Sequence, residues 1–94
     1  MNSYFEDEMK LPVLITNIQL RQDKNGQDYW IVNTQFEQQT PQAYLAFKGD
    51  YNLSPRASSL LINYPRQLLN KMVLLTIRHK GDKKHIIDLE IKKE

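Results

Sequence analysis

The chain contains no cysteine, and it has only three glycines and one tryptophan among its 94 residues. Without cysteine there is no disulfide and no thiolate metal site to hold the fold together. Because disulfides are typical of oxidising compartments, we expect a cytoplasmic protein. No apolar run approaches the roughly 20 residues of a membrane-spanning helix, and no leader pattern opens the sequence. These absences predict one small domain with no membrane partner.

Motifs that accompany catalysis are also missing. The sequence has no glycine-rich phosphate loop of the Walker type and no His-Glu-x-x-His pair. His79 and His85 flank a predicted turn, but they lack acidic or cysteine neighbours at metal-ligand spacing. We therefore expect no enzyme, no metal site and no cofactor.

Charge is unevenly distributed along the chain. Residues 1–52 contain four Lys/Arg and seven Asp/Glu, a net charge of −3, whereas residues 53–94 contain nine Lys/Arg and four Asp/Glu, a net charge of +5. This asymmetry is typical of a protein with one side that faces a polyanion. A functionless solvated surface is the alternative, because charge runs are common.

Hydrophobic alternation and turn residues predict five strands and one short helix in the order β-β-β-α-β-β. The strands span residues 11–22, 29–37, 43–48, 72–80 and 85–92. Ser54 is a suitable N-cap for the helix, Pro55 a suitable first residue, and Pro65 ends or kinks it. Residues 1–10 are expected to be a flexible acidic tail, and residues 11–94 the folded domain. Closing the strands into a small antiparallel barrel would remove exposed sheet edges.

The strongest structural signal is the hairpin formed by the first two strands. A two-residue turn at Asn25-Gly26 would mix its core and solvent faces. A three-residue loop, Lys24-Asn25-Gly26, with Gly26 at positive φ, keeps the two faces separate. This register predicts an apolar face with four cross-strand pairs, Leu20–Trp30, Ile18–Val32, Thr16–Thr34 and Leu14–Phe36.

The opposite face of the hairpin carries aromatic, amide and cationic side chains, which are the groups that bind single strands of nucleic acid. Tyr29, and Tyr44 on the third strand, are the expected stacking platforms. Arg21 and Lys48 are expected to meet phosphates on the same face. The predicted binding residues are Arg21, Lys24, Tyr29, Ile31, Asn33, Tyr44, Lys48, Lys80, Lys83 and Lys84. A second group of candidates comprises Asn17, Trp30, Gln35, Tyr51 and Arg78.

Several apolar residues are assigned to the core rather than to the site. Phe36 and Phe47 are placed inside, and Trp30 is placed there too unless the register is off by one, in which case Tyr29 is buried instead. The inward residues of the fourth strand are predicted to be Val73, Leu75 and Ile77, and those of the fifth Ile87, Leu89 and Ile91.

The hairpin KNGQDYWIVNTQF, the third strand YLAFKGD and the final pair LLNKMVLLTIRHKGDKKHIIDLEI together resemble the small single-stranded-DNA-binding proteins with an oligonucleotide/oligosaccharide-binding (OB) fold. The resemblance covers roughly residues 11–91. It implies an all-β, five-stranded antiparallel Greek-key barrel with one short helix. The ligand face would lie on strands two and three, between loops 22–28 and 80–85.

The leading hypothesis is a non-enzymatic protein that coats single-stranded DNA with little sequence preference, in replication, recombination or repair, on a mobile element or phage among other settings. RNA is an alternative ligand, replication proteins are candidate partners, and a homo-oligomer is left open. The second hypothesis is an adaptor subunit for a helicase, primase or polymerase. The acidic N-terminal segment and the outward apolar residues Ile31, Met72 and Leu74 motivate it.

Overall fold

A computed structural model describes residues 8–36 and 40–92, except for the side chain of Lys80. The elements are β1 Glu8–Gln22, β2 Asp28–Gln35, β3 Gln42–Phe47, α1 Pro55–Asn63, α2 Pro65–Leu68, β4 Met72–Lys80 and β5 Lys83–Ile91. The strands form a closed barrel in the order β1-β2-β3-β5-β4. The predicted five-stranded barrel is confirmed. Two details are wrong, because β3 and β5 pair in parallel and a second helix follows the first.

The first strand begins earlier than the sequence predicts. Glu8, Met9 and Lys10 were assigned to the tail, but they pair with β4, and Glu8 lies opposite Arg78. Their pairing is reinforced by a salt bridge of 2.6 Å between the carboxylate of Glu8 and the guanidinium of Arg78. Residues 1–7, the rest of the predicted tail, lie outside the described part of the chain.

The predicted three-residue loop between β1 and β2 is confirmed. Gly26 has a φ of 86°, and its N–H donates to the carbonyl of Asp23 over 3.0 Å. The carboxylate of Asp23 accepts from the N–H groups of Asn25 and Gln27, each at 2.9 Å. This side chain therefore organises the loop as an Asx turn. Beyond the loop, the predicted pairs Leu20–Trp30 and Ile18–Val32 are present.

Two predicted hairpin pairs, Thr16–Thr34 and Leu14–Phe36, are wrong because a β-bulge at Thr16 shifts the register. Ile15 rather than Thr16 lies opposite Thr34. The extra residue turns Ile15 into the core and leaves Leu14 on the outer surface. A bulge also bends its strand, and β1 must bend here because it pairs with β2 on one side and with β4 on the other.

A second bulge, in β5, changes which isoleucine is buried. The register shifts between Thr76 and Ile77, so that Ile86 lies opposite Ile77 and Ile87 is the extra residue. Ile86 is buried, whereas Ile87, which was predicted to point inward, is only half-buried. The carbonyl of Ile87 instead accepts from the N–H of Ser54 over 2.7 Å. The bulge thus attaches the start of α1 to the barrel.

The predicted helix signals are confirmed at both ends of α1. The hydroxyl of Ser54 accepts from the N–H of Ala57 over 3.1 Å, and Pro55 is the first helical residue. The helix stops before Pro65, which starts the four-residue α2. Both helices contribute to the core, where α1 buries Leu61 and α2 buries Leu68.

The core fills the barrel and the space beneath α1. Burying these apolar side chains supplies the main favourable free energy of folding. The predicted inward residues of β4 are confirmed, and Phe36 is partly buried against the core. The buried hydrophobic residues are Val13, Ile15, Trp30, Val32, Tyr44, Ala46, Leu53, Ala57, Leu61, Leu68, Val73, Leu75, Ile77, Ile86 and Leu89.

Candidate functional site

Three rings lie side by side on the outer surface of the barrel. Tyr29 of β2 stacks on Phe47 of β3, with ring centroids 5.4 Å apart and an interplanar angle of 27°. Phe47 stacks on His85 of β5, with a centroid distance of 5.2 Å and an angle of 26°. All three side chains are half-buried, so each keeps part of its surface open to solvent. We call these three residues the aromatic row.

The register of neighbouring strands produces the aromatic row. Tyr29 and Phe47 are direct partners in the antiparallel β2–β3 pair, where facing side chains lie about 4.5–5.5 Å apart. The adjacent residues Trp30 and Ala46 are buried in the core, so alternation turns Tyr29 and Phe47 outward. His85 joins them because β5 runs parallel to β3 at this point.

An arginine lies at each end of the aromatic row. Arg21 of β1 is the cross-strand partner of Tyr29, and Arg78 of β4 is the cross-strand partner of His85. Arg21 is exposed, whereas Arg78 forms the salt bridge with Glu8. Across the five strands the outer surface therefore presents an exposed arginine, three rings and a second arginine that is paired with Glu8.

The predicted orientation of β3 is wrong. Tyr44, expected to stack on a ligand, is only 4% exposed and lies inside the barrel, where burial raises its pKa. Phe47, which was assigned to the core, lies on the outer surface instead. Both faces of this strand are apolar, so alternation does not choose between them. Packing does, because the small Ala46 lies opposite Trp30, and a larger side chain there would overfill the core.

The hairpin has the orientation that its three-residue loop predicts. Ile31 and Asn33 share the outer face of β2 with Tyr29, and Asn17 of β1 lies opposite Asn33. Trp30 is 4% exposed, so the alternative register that places it at the surface is wrong. Ligand binding by these outward residues stays a prediction.

Two further candidates lie away from the centre of the aromatic row. Gln35, the last residue of β2, is half-buried. Tyr51 is 93% exposed in the loop between β3 and α1. Neither residue belongs to the aromatic row.

The predicted loop 80–85 is a two-residue turn. Lys80 pairs directly with Lys83, which leaves only Gly81 and Asp82 between the strands. Gly81 has a φ of 64°, as a tight hairpin turn of this length requires. His85 consequently lies within β5 and not in a loop, which is why it can join the aromatic row.

The predicted lysines do not converge on one face. Lys24 is exposed in the loop between β1 and β2, and Lys83 is exposed at the start of β5. Lys48 lines a groove at one end of the barrel. Lys84 turns inward, where its ammonium donates to the side-chain oxygen of Gln42 over 2.9 Å and lies 5.7 Å from the centroid of the Tyr44 ring. The prediction that Lys48 shares a face with Tyr29 is therefore wrong, and Lys84, which was predicted to lie in the loop, belongs to β5.

A pocket of about 360 Å³ adjoins the aromatic row. Its lining combines two rings of the row with the loops on either side, and it consists of Gln27, Phe47, Gly49, Asp50 and His85. The pocket is open to solvent at the edge where β2, β3 and β5 meet the loops. It therefore extends the row from a flat surface into a cleft.

Sequence reasoning missed Phe47 and His85 as site residues. The signal for Phe47 was available in its pairing with Tyr29, since an outward Tyr29 makes its direct partner outward as well. His85 was considered only as a metal ligand. The predicted fifth strand began at His85 with Ile87 inward, and the bulge at Ile87 turns His85 to the outer surface instead.

Within residues 8–36 and 40–92, no group of three or more His, Cys, Asp or Glu side chains could hold a metal ion. No helix in the same part of the chain is both long and apolar enough to cross a membrane. No protein-family model matches the sequence, and neither curated proteins nor solved structures yielded a match. The interpretation of the site therefore rests on its geometry.

Proposed function

We propose that this protein binds single-stranded DNA with little sequence preference. The observation that carries the proposal is the aromatic row with an arginine at each end. Aromatic faces stack on any base and contribute about 1–3 kcal/mol per base, while cations along the same line attract phosphates. The aromatic row crosses the β-strands of the barrel. A DNA strand extended along the row would therefore make successive stacking and phosphate contacts.

The barrel supports the assignment to the OB class. Its strand order, β1-β2-β3-β5-β4, and the position of the helices between β3 and β4 fit a five-stranded Greek-key barrel of that kind. OB barrels bind oligonucleotides on the face of strands two and three, between the loops that join strands one to two and four to five. The aromatic row lies on that face and extends it onto β5.

The proposed mechanism is coating without catalysis. Stacking and phosphate contacts would hold a strand open against reannealing and shield it from nucleases. Such a protein would act in replication, recombination or repair, including that of a mobile element or phage.

Fluorescence polarisation of labelled oligonucleotides tests the proposal. A dT oligomer should bind, a duplex of the same length should bind much more weakly, and affinity for the single strand should fall as salt rises. Equal binding of duplex and single strand would mean that stacking is not the source of affinity. An RNA oligomer in the same titration decides between DNA and RNA as the ligand.

An adaptor function is the second candidate, and one surface feature favours it. A groove of about 260 Å³ separates the hairpin from the helices, and its lining is largely apolar. Leu20 is 60% exposed and Ile62 is 48% exposed along it. A double variant, Leu20→Asp with Ile62→Asp, should lose a replication partner captured from the native host. Capture of that partner by the wild type, with no shift of labelled dT, would favour the adaptor.

A further inference from the structure

Two residues that line the pocket beside the aromatic row, Gln27 and Asp50, carry side-chain oxygens that accept hydrogen bonds. Gln27 turns its side-chain amide nitrogen toward two backbone carbonyls, those of Lys48 and Asp28. An amide group so placed keeps only its oxygen for another partner. The lining of the pocket therefore includes a residue with an available hydrogen-bond acceptor.

Asp50 lines the same pocket. One of its oxygens accepts from the N–H of Asn52 over 2.9 Å. In the part of the chain that the structure describes, the other oxygen accepts no hydrogen bond. A carboxylate beside a polyanion repels phosphates, but it accepts hydrogen bonds from the donor edge of a base.

We infer that this pocket takes one base of the bound strand and prefers guanine, because its free acceptors complement the neighbouring N1–H and N2–H donors of that base. The inference rests on the proposed function. Phe47 and His85 supply the ring surface against which the base packs, and the free oxygens of Asp50 and Gln27 receive its two donors. Thymine carries a single N–H donor flanked by two carbonyl acceptors, which the acceptors of the pocket repel. Elsewhere on the row stacking alone binds the strand, so the preference is confined to one position.

The first test compares oligonucleotides on the wild-type protein by fluorescence polarisation. A dT oligomer with one central dG should bind about tenfold more tightly than the all-dT parent, the size expected for one bidentate contact to a base edge. Replacing that dG by deoxyinosine removes the N2 amino group, and affinity should fall below that for dG. Equal affinity for dG and dT, or for dG and deoxyinosine, would overturn the inference while leaving the proposed function intact.

The second test changes the protein. In Asp50→Asn the side-chain oxygen still accepts from Asn52, while an N–H₂ donor replaces the free acceptor. This variant should bind the dG oligomer and the all-dT parent with equal affinity. Asp82→Asn, which removes one negative charge in the exposed turn before β5, should keep the tenfold preference. A preference that survives in Asp50→Asn overturns the inference. Failure of every oligonucleotide to bind wild type overturns the proposed function as well.

Discussion

Two outward surfaces of the same barrel differ sharply in chemistry. The aromatic row occupies β2, β3 and β5. On the other side, β1 and β4 pair to form a surface that we call the aliphatic face, which consists of Pro12, Leu14, Met72 and Leu74. Met72 is 48% exposed there, and the other three are half-buried.

Under the proposed function, exposed apolar area would not by itself define a nucleic-acid site. The two surfaces both expose carbon atoms, but only aromatic rings offer flat faces on which bases stack. An arginine lies at each end of the row, whereas the aliphatic face adjoins Lys10, whose cross-strand partner is Thr76. Our predictions separate the two surfaces, and they run from the largest expected effect to the smallest.

Removing the central ring should weaken binding most. Phe47 contacts both other rings, so Phe47→Ala should cost about 2 kcal/mol of affinity for dT, within the range for one lost stack. Leu74→Ala on the aliphatic face is the matched control and should leave affinity unchanged. Both are measured by fluorescence polarisation. Equal losses in the two variants would remove the distinction between the surfaces.

A stabilising network that belongs to neither surface should affect stability without affecting binding. Asp88 accepts hydrogen bonds from Arg56 and Ser54, and the hydrogen bond from Arg56 is the main cause that lowers the pKa of Asp88. Asp88→Asn should lower the free energy of unfolding at pH 7 by about 1–2 kcal/mol. Urea titrations measure this loss, and affinity for dT should stay constant.

The loss in Asp88→Asn should also depend on pH. A carboxylate whose pKa is lowered by folding contributes stability above its unfolded pKa of about 3.9, and that contribution disappears as pH falls through the lowered folded value. The difference between wild type and variant should therefore be full at pH 7, shrink below the unfolded pKa and close only below the lowered folded pKa. A constant difference would show that the charge of Asp88 is not what stabilises the fold.

The loop beside the aromatic row should tolerate little change at Gly26. Its φ of 86° is unfavourable for alanine, although a Cβ there would meet no other atom. Gly26→Ala should therefore cost about 1 kcal/mol of stability through the backbone alone. Gly26→Asn should cost less, because asparagine adopts this conformation more readily. Thermal unfolding of both variants checks the order.

The smallest effect is expected for one cation. Arg21→Ala should reduce the slope of log affinity against log salt by about one, since it removes a single phosphate contact. Lys10→Ala, beside the aliphatic face, should not change that slope. An equal reduction in both variants would indicate a diffuse attraction with no preferred surface.

Features that depend on neighbouring residues could be predicted from the sequence. The loop at Gly26 follows from glycine and the Asx turn of Asp23, and the start of α1 follows from Ser54 and Pro55. These signals act over a few residues. They fixed the loop type and therefore the outward orientation of Tyr29.

Features that depend on packing between distant parts of the chain could not be predicted from the sequence. The bulge at Thr16 allows β1 to pair with both β2 and β4. The local alternation of apolar and polar residues does not predict it. The orientation of β3 depends on how Ala46 fits against Trp30 across the barrel. The parallel pairing that brings His85 beside Phe47 is a property of the closed barrel and not of either strand.

The double pairing of β1 has a consequence for synthesis on the ribosome. Glu8 finds its partner in Arg78, seventy positions later in the chain. A nascent chain can form the β1–β2 hairpin early. Residues 8–14 of β1, however, cannot pair until β4 has left the ribosomal exit tunnel. During that interval its apolar side chains, among them Leu11 and Val13, have no neighbouring strand to cover them.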